Sequence, residues 1–189
     1  MAKERKPNSR VSGVSQADAV SADEGLQPTI AGLERLIMSR NLFERTLHGL
    51  ATRSANWRES AAIWAGSLIG DESQVLKVYF HHELCDDKGG PLSLELTEEA
   101  KFTLYETLRR ESLKLVGMIH THPKDWVDLS LVDQGNQLCS RIGFWSLVVP
   151  WYARKPWELS SIGVHIRSDI GWYRLTPDEV IQHVIISGE

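Results

Sequence analysis

The chain has 189 residues, of which 42% are hydrophobic, and carries a net charge of -4 with a pI near 6.0. That length supports one domain with a sizeable core, the apolar content excludes a wholly disordered chain, and the acidic balance lacks the basic footprint of a nucleic-acid binder. Two cysteines, Cys85 and Cys139, are too few and too far apart for a zinc ribbon or a disulfide framework, and the longest apolar runs, such as Phe144 to Pro150, fall far short of a membrane span.

Residues 1–27 are polar and small, without apolar periodicity, and read as a disordered leader ahead of a single domain over 28–189. The basic start MAKERKPNSR precedes no apolar signal segment, which predicts a cytoplasmic protein with reduced thiols. Spaced apolar positions predict a short strand over Thr29 to Ile37. Leu42, Phe43, Thr46, Leu47 and Leu50 fall on one face of a helix over 41–53. Glu59 then opens an apolar strand to Ile69, Gly70 and Asp71 mark a turn, and Val75 to His82 reads as the paired strand of a hairpin. Asp86 to Pro91 is a loop by composition. Thr97 and Glu98 open a helix to about Ser112, with Ala100, Leu104 and Leu108 on one face. Lys114 to His120 is an apolar strand, and Ser130 to Cys139 a short helix with Cys139 buried on it. Ser146 to Val149 and Ser160 to Ile166 are further strands, Ser168 to Gly171 a turn, and Trp172 to Leu175 the return from it. Thr176, Pro177, Asp178 and Glu179 carry the start signal of a terminal helix, followed by an apolar tail, Val184 to Ile186. Strands and helices mix without regular βαβ repeats, which predicts an α+β fold or a mixed-sheet α/β fold.

The string HTHPKDWVDLSLVD carries the chemistry. In an extended segment, residues two apart point to the same side, so His120 and His122 offer ring nitrogens to one place, and Pro123 stops the strand after them. Ser130 and Asp133, three apart, share a face where a helix begins. Taken singly, a His-x-His is an ordinary polar edge and a Ser-x-x-Asp an ordinary helix cap with Ser130 at its start. Together and in order they converge on a metal site. Two imidazoles and a carboxylate suit zinc and leave one position open, the pattern of a catalytic ion. His81 and His82 read as a polar rim on a strand, and His48, His165 and His183 have no local partners.

This string resembles the JAMM (JAB/MPN) metallopeptidase family, whose pattern is an upstream glutamate, then His-Ser/Thr-His, seven residues, and Ser-x-x-Asp. Here the seven are Pro123 to Leu129. The upstream glutamate is matched by Glu59 in Glu59-Ser-Ala-Ala-Ile-Trp-Ala-Gly66, which departs from the family's pattern at Ala62, where glycine is usual, and at Trp64, bulky for its place. The resemblance spans about residues 30–175. It implies a curved mixed sheet flanked by helices, of cytidine-deaminase-like architecture. It further implies one catalytic zinc held by His120, His122 and Asp133, with Glu59 as general base outside the metal's ligands and Ser130 as oxyanion donor.

The same resemblance, to the compact prokaryotic branch, implies cleavage after the C-terminus of a ubiquitin-like protein. One setting is deconjugation in a bacterial antiphage operon, with activating and conjugating enzymes as partners. A second is the trimming of a sulfur-carrier precursor. A non-catalytic scaffold of the same fold is the third reading, and the presence of Glu59, both histidines, Ser130 and Asp133 speaks against it. The segment Pro150 to Trp157 reads as an aromatic loop between two strands, fixed by two prolines; Trp151 and Trp157 either cover the domain core or, where one is solvent-exposed, contact the carrier protein's body.

Overall fold

The computed structural model describes residues 35–54, 57–84, 96–135, 138–154 and 158–188. Strands β1 (Arg35–Ser39), β2 (Ala61–Ile69), β3 (Glu72–Phe80), β4 (Lys114–Thr121), β5 (Trp145–Val149), β6 (Gly163–Arg167), β7 (Trp172–Arg174) and β8 (Val184–Ser187) form one sheet. Their order is β7-β6-β5-β4-β2-β3-β1-β8. The β4–β5, β1–β3 and β1–β8 pairs are parallel and the others antiparallel, so the sheet is mixed as expected. The helices are α1 (Arg40–Arg53), α2 (His81–Leu84), α3 (Glu98–Arg110), α4 (Leu131–Gly135) and α5 (Pro177–His183).

Local signals account for the longer helices. Ser39 caps α1 by accepting from the Leu42 N–H at 3.2 Å, and Phe43, Thr46, Leu47 and Leu50 turn one buried face to the sheet. Thr97 caps α3 by accepting from the Ala100 N–H at 3.2 Å, with Glu98 and Glu99 in the first turn and Arg109 and Arg110 in the last, charges that suit the helix dipole. Thr176 and Glu179 form a reciprocal capping box around Pro177. α1 and α5 close one face of the sheet over a cluster that includes Leu36, Ala62, Trp64 and Leu147, while α3 closes the other over Ile63, Ala65, Leu115 and Phe144. Each fully buried leucine on these faces contributes about 2 kcal/mol of transfer free energy.

β2 alternates strictly, Ala62 and Trp64 toward α1 and Ile63 and Ala65 toward α3. β4 does not. Its pairing with β2 slips between Gly117 and Leu115, and Val116 is the extra residue of a β-bulge. Leu115 and Met118 therefore share the α3 face, while Val116 and Ile119 share the α1 face. The alternation after the bulge puts His120 on the side of Met118 and Thr121 on the side of Ile119. A second slip lies opposite Gly66, where a Cβ would stand 1.8 Å from the Gln74 carbonyl oxygen, so only glycine lets the two strands close. The departures at Ala62 and Trp64 both lie on the α1 face.

Several boundaries differ from the sequence reading. β3 stops at Phe80, and His81 and His82 belong to α2 rather than a strand, because the Glu83 carboxylate accepts from the Phe80 N–H at 3.1 Å and turns the chain. α4 ends at Gly135, so Cys139 is half-buried beyond it rather than buried on it. A 3-10 turn over Leu159–Ser161 delays β6 to Gly163. The apolar tail is a strand, β8, parallel to β1 with Leu36 opposite Val184. β1 begins at Arg35; residues 29–34, the expected leader and the Asp86 to Pro91 loop lie outside the described residues. No helix of the described residues is long and apolar enough to cross a membrane.

Candidate metal centre

The end of β4 and the residue that follows it bring His120 and His122 to one side of the sheet, both buried, with their Nε2 atoms 3.2 Å apart. Asp133, in α4, reaches across: Oδ1 lies 3.5 Å from His120 Nε2 and Oδ2 lies 3.4 Å from His122 Nε2. The two ring nitrogens and the carboxylate thus face one another in a triangle of side chains, each histidine meeting its own carboxylate oxygen. An ion bound tetrahedrally at 2.0–2.1 Å holds neighbouring ligands about 3.3 Å apart, so contacts of 3.2–3.5 Å between these side chains leave room for zinc. Among the described residues, this trio is the grouping of histidine, cysteine and carboxylate donors close enough for an ion.

The histidines are held unequally. His122 Nδ1 lies 3.0 Å from the Trp126 carbonyl oxygen, a geometry that puts the proton on Nδ1 and turns the Nε2 lone pair into the triangle. The Trp126 indole also stacks on the His122 ring, with centroids 4.9 Å apart and planes 15° from parallel. One residue thus holds the His122 ring by edge and by face. His120 Nδ1 is buried with no hydrogen-bond partner among the described residues; the ladders to β2 and β5 on both sides of β4 engage the neighbouring carbonyls. Sequence reasoning missed Trp126, whose place in the seven-residue interval says nothing about which ring it meets. Trp126→Ala is expected to weaken zinc retention about tenfold, the scale of an outer support to a ligating histidine. Competition with a chromophoric chelator measures this, and an unchanged affinity would reduce Trp126 to a surface residue.

Ser130 and Asp133 close the start of α4 reciprocally. The Ser130 N–H donates to Asp133 Oδ2 at 2.8 Å, and the Asp133 N–H donates to Ser130 Oγ at 3.1 Å. The loop before them lies on the sheet because Gly163 admits it: a Cβ there would stand 1.9 Å from the Val127 carbonyl oxygen. Burial pushes the Asp133 carboxyl up, but hydrogen bonds with His120 and His122, the charge of His120 and the bond to Ser130 outweigh it and hold the group far below the usual carboxylate range. Burial likewise works against the His122 cation, yet Asp133, the Trp126 carbonyl and Glu59 together raise its proton affinity.

Glu59 stands at the head of β2, whose Ala61 is opposite His120. Its half-buried carboxyl is pushed up by desolvation and by the charge of Asp133, with His122 and His120 pulling the other way; the net effect is a raised pKa. The result is a carboxylate that interacts with all three donors and binds a proton more readily than usual.

His165, on β6, is a buried neutral histidine 3.3 Å from the Ser146 carbonyl oxygen, and desolvation lowers it to about 4 against an ordinary 6.5. A histidine with a depressed folded-state pKa gives its full stability above 6.5 and loses it as pH falls toward 4, because the unfolded chain then binds the extra proton. The expected loss is about 3 kcal/mol over that window. His165→Gln should show a flatter decline in denaturant midpoint from pH 6.5 to 4.5 than the parent; parallel declines would mean that His165 titrates normally.

Trp151 opens a 3-10 turn, Trp151–Ala153, within the expected connection between β5 and β6, and Trp157 lies outside the described residues. Trp151, Tyr152 and Ala153 all have φ of 53–55°, left-handed values uncommon for residues with side chains. The turn is tied to the loop from His122 to Ser130: the Trp151 N–H donates to the Lys124 carbonyl at 3.1 Å and the Tyr152 N–H to the His122 carbonyl at 2.9 Å. Trp151 is 39% exposed and Trp57, beside Glu59 in sequence, 71% exposed. Trp57 meets Tyr152 edge-on at 5.8 Å, with the Arg154 guanidinium over both rings. Sequence reasoning missed Trp57 at this lip.

No protein-family model matches the chain. Over 107 residues, 56% of this chain, it is 31% identical to the STAM-binding protein of Rattus norvegicus and equally to that of Mus musculus. The chain spans 24% of the length of those curated relatives. In fold it is similar to protein DSY2949 from Desulfitobacterium hafniense, with a TM-score of 0.57 and 17% identity over 82% of this chain and 94% of that one. It is also similar to a protein from Salinibacter ruber, with a TM-score of 0.53 and 13% identity over 79% and 90% of the two chains.

Proposed function

We propose that this chain, which belongs to the JAB/MPN family, is a zinc-dependent peptidase cleaving the isopeptide or peptide bond after the C-terminus of a ubiquitin-like protein. The observation that carries this reading is the donor triangle of His120, His122 and Asp133 with the Glu59 carboxylate beside it. Zinc held by those three side chains supplies Lewis acidity toward water and the scissile carbonyl. Glu59 accepts the proton of the attacking water and passes it to the departing amine, two tasks suited to a carboxylate of raised proton affinity. Ser130 Oγ accepts from the Asp133 N–H, which leaves its own hydrogen to donate to the oxyanion developing on the carbonyl.

The substrate follows from the family resemblance and from the lip of the site. Trp151, whose N–H bonds the Lys124 carbonyl, and Trp57, which meets Tyr152, are exposed aromatics, and aromatic anchors of this kind hold protein partners. We place the enzyme in a bacterial antiphage operon, reversing or processing conjugation carried out by an activating and a conjugating enzyme. The test is a ubiquitin-like domain fused through its C-terminal diglycine to a reporter. Release of the reporter at that junction, abolished by chelator and restored by zinc, is the expected result. Cleavage that ignores the chelator, or no cleavage of any such fusion, would leave the chain a binding domain.

A further inference from the structure

We infer that Thr121 is a positioning residue that fixes Glu59 against the metal triangle, a role that rests on the hydrolytic reading of the site. Thr121 sits between the two histidines but on the opposite side of β4, facing α1. There it meets the residue next to the proposed base. The Thr121 N–H donates to the Ser60 carbonyl at 3.0 Å, and the Ser60 N–H donates back to Thr121 Oγ1 at 2.9 Å. The first is an ordinary strand bond continuing the β2–β4 ladder. The second replaces a backbone acceptor with a side-chain hydroxyl.

That second bond matters because of where the donor lies. The Ser60 N–H belongs to the Glu59–Ser60 peptide unit, so holding it fixes the plane from which the Glu59 side chain departs. The Ser60 hydroxyl is held as well: it donates to the Leu50 carbonyl at 2.9 Å and lies 2.9 Å from Ser54 Oγ. Ser54 caps the end of α1, and its own carbonyl accepts from Arg154. Ser54, Ser60 and Thr121 are all buried. Buried hydroxyls are costly unless partnered, and each here has partners, so the cluster favours one arrangement. One residue thereby joins the strand bearing His120 and His122 to the peptide bearing Glu59. The separation of base and ligands is then set by two hydrogen bonds, and a misplacement of about 1 Å in such a constellation costs about 100-fold in rate.

The experiment compares Thr121→Val, nearly the same shape without the hydroxyl, with Thr121→Ser, which keeps it, in the full chain. Thr46→Val serves as control, since Thr46 is an equally buried hydroxyl bonded to the Leu42 carbonyl on α1. Thr121→Val is expected to retain one zinc per chain and a KM within about twofold of the parent. Its kcat should fall by about 10- to 100-fold, with exchange of the Ser60 amide accelerated. Thr121→Ser should recover most of the kcat, and Thr46→Val should keep it. Should Thr121→Val not fold, Thr121→Ala carries the same expectation. A parental kcat in Thr121→Val, equal loss in Thr46→Val, or no recovery in Thr121→Ser would each overturn the role. If the parent cleaves nothing in a zinc-dependent way, the hydrolytic reading fails by itself, while unchanged Ser60 exchange would overturn the clamp independently.

Discussion

Glu59→Gln is expected to keep its zinc and lose nearly all turnover. Glutamine has the shape of glutamate and retains a hydrogen-bonding oxygen, but it neither takes a proton from water nor hands one to an amine. Removing a general base costs about 100- to 10,000-fold, and in the proposed mechanism the same carboxyl would serve both proton transfers, which places the expectation at the upper end. The metal should be unaffected, because the donor triangle is complete without Glu59. Zinc analysis of the purified variant beside its steady-state rate separates the two roles. A zinc-free Glu59→Gln protein would make Glu59 a ligand and leave the chain without an assigned base.

Asp133→Ala is expected to lose both zinc and activity while remaining folded. Two imidazoles alone hold the ion poorly, and the variant also strips the Ser130 N–H of its acceptor, a capping loss of about 1 kcal/mol. Neither change touches the two buried clusters that hold α1 and α3 on the sheet. Chelation of the parent should act the same way, abolishing hydrolysis with little change in secondary structure, since a core of this size does not depend on one ion for folding. Circular dichroism and metal analysis before and after chelation test both statements. Cooperative unfolding on removal of the ion would make the metal structural.

The parts of the molecule legible in the sequence were those whose cause is local. Thr97 and Thr176 announce helices through their own hydroxyls, and the spacing of Leu104 from Leu108 names the face that packs. His120 and His122 share a side by strand geometry alone, and the interval to Asp133 matched a known pattern. What stayed hidden depends on distant chain. Val184 to Ile186 reads as an apolar tail until β1, about 150 residues earlier, offers it an edge. Trp126 has no visible role until the loop returns its ring to His122. Thr121 is no more than the threonine of the His-Thr-His string until Ser60 arrives from β2. Trp57 lies two residues before Glu59, yet its place at the lip is set by Tyr152 and Arg154, from the far side of β5.

The extra residue at Val116 makes the side on which the two histidines stand a matter of counting. Each residue between the bulge and His122 is a step that exchanges the two faces of the strand. Deleting one residue in that stretch would do more than shorten a strand. It would present the hydroxyl of Thr121 to Asp133 and turn both imidazoles into the space beneath α1, where Ser54 and Ser60 now lie. Substitutions along Gly117 to Ile119 can be graded by size and polarity, but a change of length there has only two outcomes. Related chains that keep the chemistry must therefore keep the bulge and the residue count from it together, or alter both at once.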